Sequence, residues 1–440
     1  MVAPASATSG AAPEPRRIGV GILGGGTVGA ALVGLLDERR ADIAARCGVD
    51  VEPVAVAVRS PERERPGVPA GLLTGDAAAV VARPDVDVVV ELIGGIEPAR
   101  ELLLAALAAG KPVVTANKEV IAAHGGELFD AARNAGVDLL FEAAVGGAIP
   151  LVRALRESLA GESVRRIMGI VNGTTNYILS RMTSGGSSYV DALAEAQALG
   201  YAEADPRADV EGHDAAAKAA IMAAIVFGAE VTAADVHCEG ISTLSPNDIA
   251  FAHRLGHVIK LLAIAERVDG GAVAVRVHPA MVPEDHPLAS VRDSFNAVFV
   301  EGDACGELML YGRGAGGRPT ASAVLGDLVD AAGNLRRGAP GGPAPTAPAR
   351  IHPIGELHTA YYLALEVIDR PGVLAAVAGV FGRHGVSIRS MEQEGLGEEA
   401  RIIFITHVAC ESDMRATLDD LRHLEAVRQV GSVLRVIADE

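Results

Sequence analysis

Apolar residues recur along the first third of the chain in short unbroken runs separated by longer alanine- and leucine-rich stretches. The run Ile18 to Leu23 leads into glycines and then a helix pattern. "VEPVAVAVRS" (51–60), "VDVVVELIG" (86–94), "PVVT" (112–115) and "VDLLFEAAVGG" (137–147) follow at similar spacing. Short apolar strands alternating with helices over some 130 residues predict an α/β fold with a doubly wound parallel sheet. From about Ile149 the pattern shifts to longer alanine-rich helices and strands such as "RRIMGIVNG", which predicts a mixed α+β domain. "GNLRRGAPGGPAPTAPARIHPIG" (333–355) is a linker by composition. Beyond it, "HTAYYLALEVID", "GVLAAVAGVFGRHG", "ARIIFITHVA" and "DMRATLDDLRHL" fit a βαββαβ unit. The expected division is a disordered leader at 1–15, a nucleotide-binding domain at 16–148 and a substrate-binding, catalytic and dimerisation domain at 149–332. The last helix of that middle domain is able to pack back on the first. The linker (333–355) and a terminal domain (356–440) complete the division.

Composition narrows the function classes. The 440 residues carry 38 basic and 56 acidic side chains, a net charge of −18, which argues against a nucleic-acid or anionic-membrane surface. There is no Trp and aromatic content is 3%, so stacking platforms for bases are not expected either. No apolar run approaches the ~20 residues of a membrane span. The N-terminus lacks the apolar core of a signal peptide, so the expected location is cytoplasmic. Cys47, Cys238, Cys305 and Cys410 are widely spaced and read as buried thiols of a reducing compartment, neither a zinc site nor a disulfide framework.

Gly24-x-Gly26-x-x-Gly29 lies between the first strand and the first helix, with Thr27 and Val28 opening that helix. In that context the glycines permit a tight turn, close approach of backbone to a pyrophosphate, and tight helix–strand packing. A ligand-free tight turn uses the same residues. Arg59, with Arg63 and Arg65 nearby, stands where an acidic residue would read the ribose 2′-hydroxyl of NAD. A guanidinium there matches a 2′-phosphate and favours NADP over NAD, although a solvated charged loop has the same composition. Lys118 follows the strand 112–115 and is expected at the carboxyl-end crevice of the sheet, unless it is a surface lysine at a helix start.

"GYAEADPRADVEGHDAAAKAAIMAAIVFG" (200–228) holds the second lysine. Lys218 is the single charge between Ala215 and Ala229, in a helix apolar on every face. Asp214 precedes it by one helical turn. An exposed pair of that spacing is commonplace, but a lysine buried in such a helix needs a partner or a task. Proton transfer is the task suggested. Glu203 and Asp209 lie upstream, in excess of what a helix dipole asks for, and suit a cationic substrate group. "GIVNGTTNYIL" (169–179), with Thr174, is able to hold a substrate or simply to turn. "YGRGAGGRPTASAV" (311–324) precedes a helix and is placed near the cofactor.

Taken together, "GILGGGTVG", "VVTANKEVIAAHG", "FEAAVGGAIPLV", "GIVNGTTNYIL", "GYAEADPRADVEGHDAAAK" and "GRGAGGRPTASAVLGDLV" closely resemble homoserine dehydrogenase, in the family's order, over about Ile18 to Asp330. The resemblance implies a Rossmann-type nucleotide domain and NAD(P)-dependent interconversion of L-homoserine and L-aspartate 4-semialdehyde, in threonine and methionine biosynthesis. It implies that Lys218 handles the proton at the substrate oxygen, that Lys118 is the second active-site lysine, and that Asp214 orients them. Glu203 then holds the homoserine amino group with Asp209 as neighbour, and Gly316 contacts cofactor. A monovalent cation, Na⁺ by preference, would sit on Glu142 and the backbone carbonyls of Val145, Gly147 and Ile149. Ala208 departs from relatives that carry another carboxylate there.

"LALEVIDRPGVLAAVAGVFGRHGVSIRSMEQEG" is similar to the ACT domain, a ferredoxin-like amino-acid-sensing module. That similarity implies L-threonine as effector at the loop with Asp369, Pro371 and Gly372, or a dimerisation module without ligand. A homodimer or homotetramer is expected. The rival readings are a sensor on an inactive dehydrogenase scaffold and an enzyme acting at an amine carbon.

Overall fold

The structure is a computed structural model describing residues 15–339, 341, 346–395 and 399–437. The expected leader lies outside these apart from residue 15. The chain forms two compact units, one reaching Val120 and adding His124–Ala143 and a segment from Gly316, the other holding Ala144–Ala315 and the C-terminal part.

The first unit is built on β1 (Arg16–Leu23), β2 (Val49–Ala57), β3 (Leu73–Thr74), β4 (Val88–Glu91), β5 (Val113–Thr115) and β6 (Leu139–Leu140). Every pairing is parallel and the order is β3-β2-β1-β4-β5-β6, with the reversal at β1/β4. Connecting helices are α1 (Thr27–Cys47), α2 (Ala77–Ala82), α3 (Ala99–Ala108) and α4 (Lys118–Ala135). Ile18, Val20, Ile22, Val88 and Val90 are fully buried, which explains why these strands read as unbroken apolar runs. Each such side chain contributes about 1.5–3 kcal/mol on burial. The helix Gly317–Arg337 (α11) folds with this unit, not with the domain whose sequence precedes it. Its Ala321, Val324, Leu328, Ala331 and Ala332 join the core of β1 and α1, and Asp327 accepts a 2.7 Å bond from the Glu142 amide. It runs five residues past the expected boundary at 332 and ends on Gly338 in the left-handed conformation.

The second unit carries α5 (Leu151–Arg153), β7 (Val164–Ile170), α6 (Gly173–Gly185), α7 (Tyr189–Ala198), α8 (Arg207–Val210), α9 (His213–Phe227), β8 (Ala229–Glu230), β9 (His237–Cys238), α10 (Pro246–Arg254), β10 (His257–Arg267), β11 (Val273–Pro283), β12 (Phe295–Gly302) and β13 (Gly306–Arg313). The C-terminal part adds β14 (Ala347–Pro348), β15 (His358–Ile368), α12 (Val373–Arg383), β16 (Ile388–Gly395), β17 (Glu399–Thr406), β18 (Ala409–Cys410), α13 (Glu411–Arg422) and β19 (Val427–Val436). The described part of the proline-rich stretch is laid down as structure. β14 pairs with β8, and the Val273 amide and carbonyl bond to Arg350 and His352.

One sheet runs β13-β12-β7-β10-β11-β19-β15-β17-β16, so the terminal βαββαβ unit continues the central sheet through a parallel β11–β19 contact. Arg435 pairs with Ala280 there and is 6% exposed. Its guanidinium donates to Glu239 at 2.8 and 2.9 Å and to Glu411 at 2.9 and 3.0 Å, while the Tyr361 hydroxyl donates to Glu411 at 2.7 Å. Burial alone would raise both carboxyl groups. His237 and Arg435 outweigh it at Glu239, and Arg435 with Tyr361 and Arg415 does so at Glu411, so both are held below their ordinary range.

Removing one partner of a buried ionic cluster costs about 3–5 kcal/mol. Arg435→Met is therefore expected to lower the unfolding free energy by that amount in urea titrations. Because the folded-state carboxyl pKa values are depressed, the folded chain binds fewer protons than the unfolded one once pH drops towards 4.5. The stabilisation is complete above that pH and falls as pH decreases through the folded values. Arg435→Met should flatten that acid limb.

Candidate active site

The predicted residues fall on both units. In the first, β1 runs into Gly24 at φ 114, a backbone region that side chains rarely adopt. A Cβ at Gly24 would lie 2.5 Å from the Leu92 carbonyl oxygen, and one at Gly29 would lie 2.1 Å from that of Gly24. Both positions demand glycine. Gly26 faces open space and caps α1 without a side chain, so the amides of the first turn, beginning with Thr27 and Val28, are available to an anion. A cavity of about 730 Å³ is lined by Gly24, Gly26, Arg59, Arg63 and Arg65. Arg59 is exposed, whereas the half-buried Arg65 keeps its Nε without a hydrogen-bond partner. This donor-rich cradle fits a dinucleotide phosphate. Gly316 begins α11 at φ 128, and a Cβ on the adjacent Gly317 would lie 2.9 Å from Thr27, so the glycine-rich turn abuts the start of α1.

Lys118 is the first residue of α4, at the carboxyl end of β5. Asn117 caps that helix by accepting from the Val120 amide at 3.2 Å and donates to the Gly95 carbonyl at 2.6 Å. Glu91 was not foreseen here. It is fully buried at the end of β4, accepts from the Ile93 and Gly94 amides at 2.7 and 3.0 Å, and takes a 2.5 Å bond from the Thr115 hydroxyl. It ties β4 and β5 where the crevice opens. Its sequence signal is one carboxylate ending a run of valines.

In the second unit α9 is buried from Ala215 to Ala223 except at Lys218. The Lys218 and Asp214 side chains are only 12% and 10% exposed. Lys218 Nζ donates to Asp214 Oδ2 and to the Val171 carbonyl, both at 2.7 Å. An ammonium has three donors, so one is left for a further oxygen. Asn172, which follows β7, donates to Asp209 Oδ1 at 2.7 Å and Asp214 Oδ2 at 2.8 Å, while its own Oδ1 accepts from the Thr175 amide and caps α6. Asp209, Asp214 and Lys218 are thus brought together, and Asn172 is the residue that joins them. Asn ahead of a helical segment signals the cap, but nothing local signals the two carboxylates.

The remaining expected residues lie outside that hydrogen-bonded cluster. Thr174 is buried and its hydroxyl donates to the Tyr201 carbonyl at 2.6 Å, so it fixes the loop before α8. The Glu203 side chain is exposed on that loop, where its backbone carbonyl accepts from Gln197. Glu142 belongs to the first unit, and Val145, Gly147 and Ile149 to the second. Among the described residues no group of three or more His, Cys, Asp or Glu is arranged to hold a metal ion. Asp369, Pro371 and Gly372 line a cavity of about 440 Å³ at the start of α12.

Comparison with known proteins identifies the family. Residues 24–142 match the model for the homoserine dehydrogenase NAD-binding domain, 150–329 that for homoserine dehydrogenase, and 361–426 that for the ACT domain. The homoserine dehydrogenase of Corynebacterium glutamicum is 53% identical over 96% of both chains, and that of Mycobacterium tuberculosis 52% identical over 96% of this chain and 98% of its own. The crystal structure of a homoserine dehydrogenase from Thiobacillus denitrificans superposes with a TM-score of 0.91 at 43% identity, covering 96% of this chain and 99% of that one. A hyperthermophilic archaeal homoserine dehydrogenase in complex with NADPH superposes at 0.61 with 29% identity, covering 73% and 98%. The chain belongs to the homoserine dehydrogenase family of NAD(P)-dependent oxidoreductases.

Proposed function

We propose that this enzyme interconverts L-homoserine and L-aspartate 4-semialdehyde with NADP(H), supplying threonine, methionine and isoleucine, in the cytoplasm and as a homodimer or homotetramer. The observation that carries the mechanism is the pinned ammonium of Lys218, held by Asp214 Oδ2 and the Val171 carbonyl with one donor unused. When bound, the nicotinamide supplies the hydride for aldehyde reduction. Lys218 donates its remaining N–H to the substrate oxygen and delivers the proton there as negative charge develops. In the reverse direction it receives the hydroxyl proton. Because two of its bonds are already made, little reorganisation accompanies that charge change. Asp214 sets the direction of the ammonium, and Asn172 sets Asp214.

Lys118 is assigned as the second cationic group at the reacting centre. Glu203 and Asp209 are assigned to the substrate ammonium, with Asp209 the better supported because Asn172 fixes its carboxylate. The arginines 59, 63 and 65 around the nucleotide cavity favour NADP(H), and a guanidinium with a bare Nε suits the additional phosphate. Glu142 and the carbonyls of Val145, Gly147 and Ile149 are assigned to Na⁺. L-threonine is assigned to the Asp369, Pro371 and Gly372 loop as a feedback inhibitor, supported by the cavity there.

Lys218→Met should cut homoserine-dependent NADP⁺ reduction by roughly 10²–10⁴-fold, the usual weight of a general acid–base group. NADPH binding, followed by its fluorescence, should stay at the wild-type level, and wild-type turnover in the variant would remove Lys218 from the mechanism. For the cofactor, Arg59→Ala is expected to raise KM for NADPH on the order of tenfold, or about 1.4 kcal/mol, and to leave KM for NADH unchanged. Equal changes for both cofactors would argue against a 2′-phosphate contact.

A further inference from the structure

A cavity of about 520 Å³ opens between the ACT sheet and helix α10, using neither the nucleotide cradle nor the Asp369 loop. Tyr362 of β15 lines it and is fully buried, yet its hydroxyl has no hydrogen-bond partner. Native interiors seldom leave such a group unpaired. Burial, then the charge of Asp248 and the approach of the phenol to that carboxylate, raise the phenol pKa, so the group stays an O–H that faces Asp248 without completing a well-formed bond to it. Asp248 is 4% exposed, and its Oδ2 accepts from the Ser245 amide at 2.9 Å, the Ser245 hydroxyl at 2.6 Å and the Ser432 hydroxyl at 2.7 Å. With all three donors on Oδ2, Oδ1 is left for a further one.

The cavity has an opposite pole. Arg401 of β17 donates through Nη2 to Glu366 at 2.7 Å and lies 5.8 Å from the Phe251 ring, leaving Nη1 and Nε for another acceptor. Glu366 is four residues after Tyr362 on β15, so both sit on one face, roughly 13 Å apart at 3.3 Å per residue. Small Ala364 lies between them, and the Arg401 charge is felt at the Tyr362 phenol, so both poles face one cavity. A buried carboxylate with a free phenol at one end and a guanidinium at the other complement a molecule that bears both charges.

We propose that this cavity is a second small-molecule site, for a free amino acid bound as its zwitterion. Its ammonium donates to Asp248 and to the Tyr362 oxygen, and its carboxylate accepts from Arg401. Since Asp248 comes from α10 and the other two from the ACT sheet, occupancy bridges the catalytic part and the ACT part of one unit. The site stands independently of the reading of the Asp369 loop and of the reaction.

The test is calorimetric titration of the full chain with glycine, L-threonine and L-aspartate in turn, repeated on Tyr362→Phe and Arg401→Gln. One of the three should bind saturably, with affinity lowered at least about tenfold in each variant. Melting temperature and homoserine turnover, which reads the proposed reaction separately, should stay at wild-type level in both. The N-acetyl and methyl-ester derivatives of the binding amino acid should fail to compete. No saturable binding by any of the three up to roughly 20 mM, about 2.3 kcal/mol, would overturn the proposal. Unchanged affinity in either variant would overturn it too, and would place any binding elsewhere.

Discussion

A single oxygen, Oδ2 of Asp214, receives both the Lys218 ammonium and the Asn172 amide. Through it the end of β7, the cap of α6, the turn of α8 and the apolar helix α9 are held in one arrangement. The ammonium could not stay in so buried a helix without that partner, since a lone desolvated charge is far too costly. The packing of α9 and the placement of the lysine are therefore one constraint. Gly212 starts α9 at φ 84, and a Cβ there would lie 2.9 Å from the Cys238 sulphur, so the entry of the helix is sterically set as well.

That entry leads physically towards the ACT part. The Cys238 thiol donates to the Glu211 carbonyl at 3.2 Å, and the next residue, Glu239, is held by Arg435 of the last strand. The C-terminal strand thus touches, through one short segment, the turn that precedes α9. An ACT domain joined by a continuous sheet and a buried ion cluster is poorly placed to move as a loose body.

Much of the fold was legible because its patterns are local. Parallel strands buried on both faces must be apolar throughout, and Gly24, Gly26 and Gly29 mark a turn whose geometry has few solutions. Lys218 was conspicuous for the same reason, as one charge in a helix with no polar face. The helix Gly317–Arg337 shows the opposite case. Its sequence follows the middle domain and leaves open which side it packs on; its alanines and leucines complete the core of β1 and α1, a choice that only the tertiary packing makes. Asn172 and Glu91 were likewise invisible as site residues, because their roles are bonds to groups far along the chain.

What the chain's own pattern settled was the class of fold, the nucleotide turn and the identity of one chemically unusual lysine, all properties of short windows with strong steric or solvation demands. The folded chain alone decided which upstream acid joins the Lys218–Asp214 cluster through Asn172. Asp209 and Asp214 share Asn172, while Glu203 lies exposed and Thr174 is used by a backbone carbonyl. Spacing along a loop does not fix direction, and only the packing of β7, α6 and α9 gives a carboxylate its neighbours. The same holds for the cavity under the ACT sheet, where α10 supplies Asp248 and the β15–β17 pairing sets Tyr362 and Arg401, which local sequence cannot foretell.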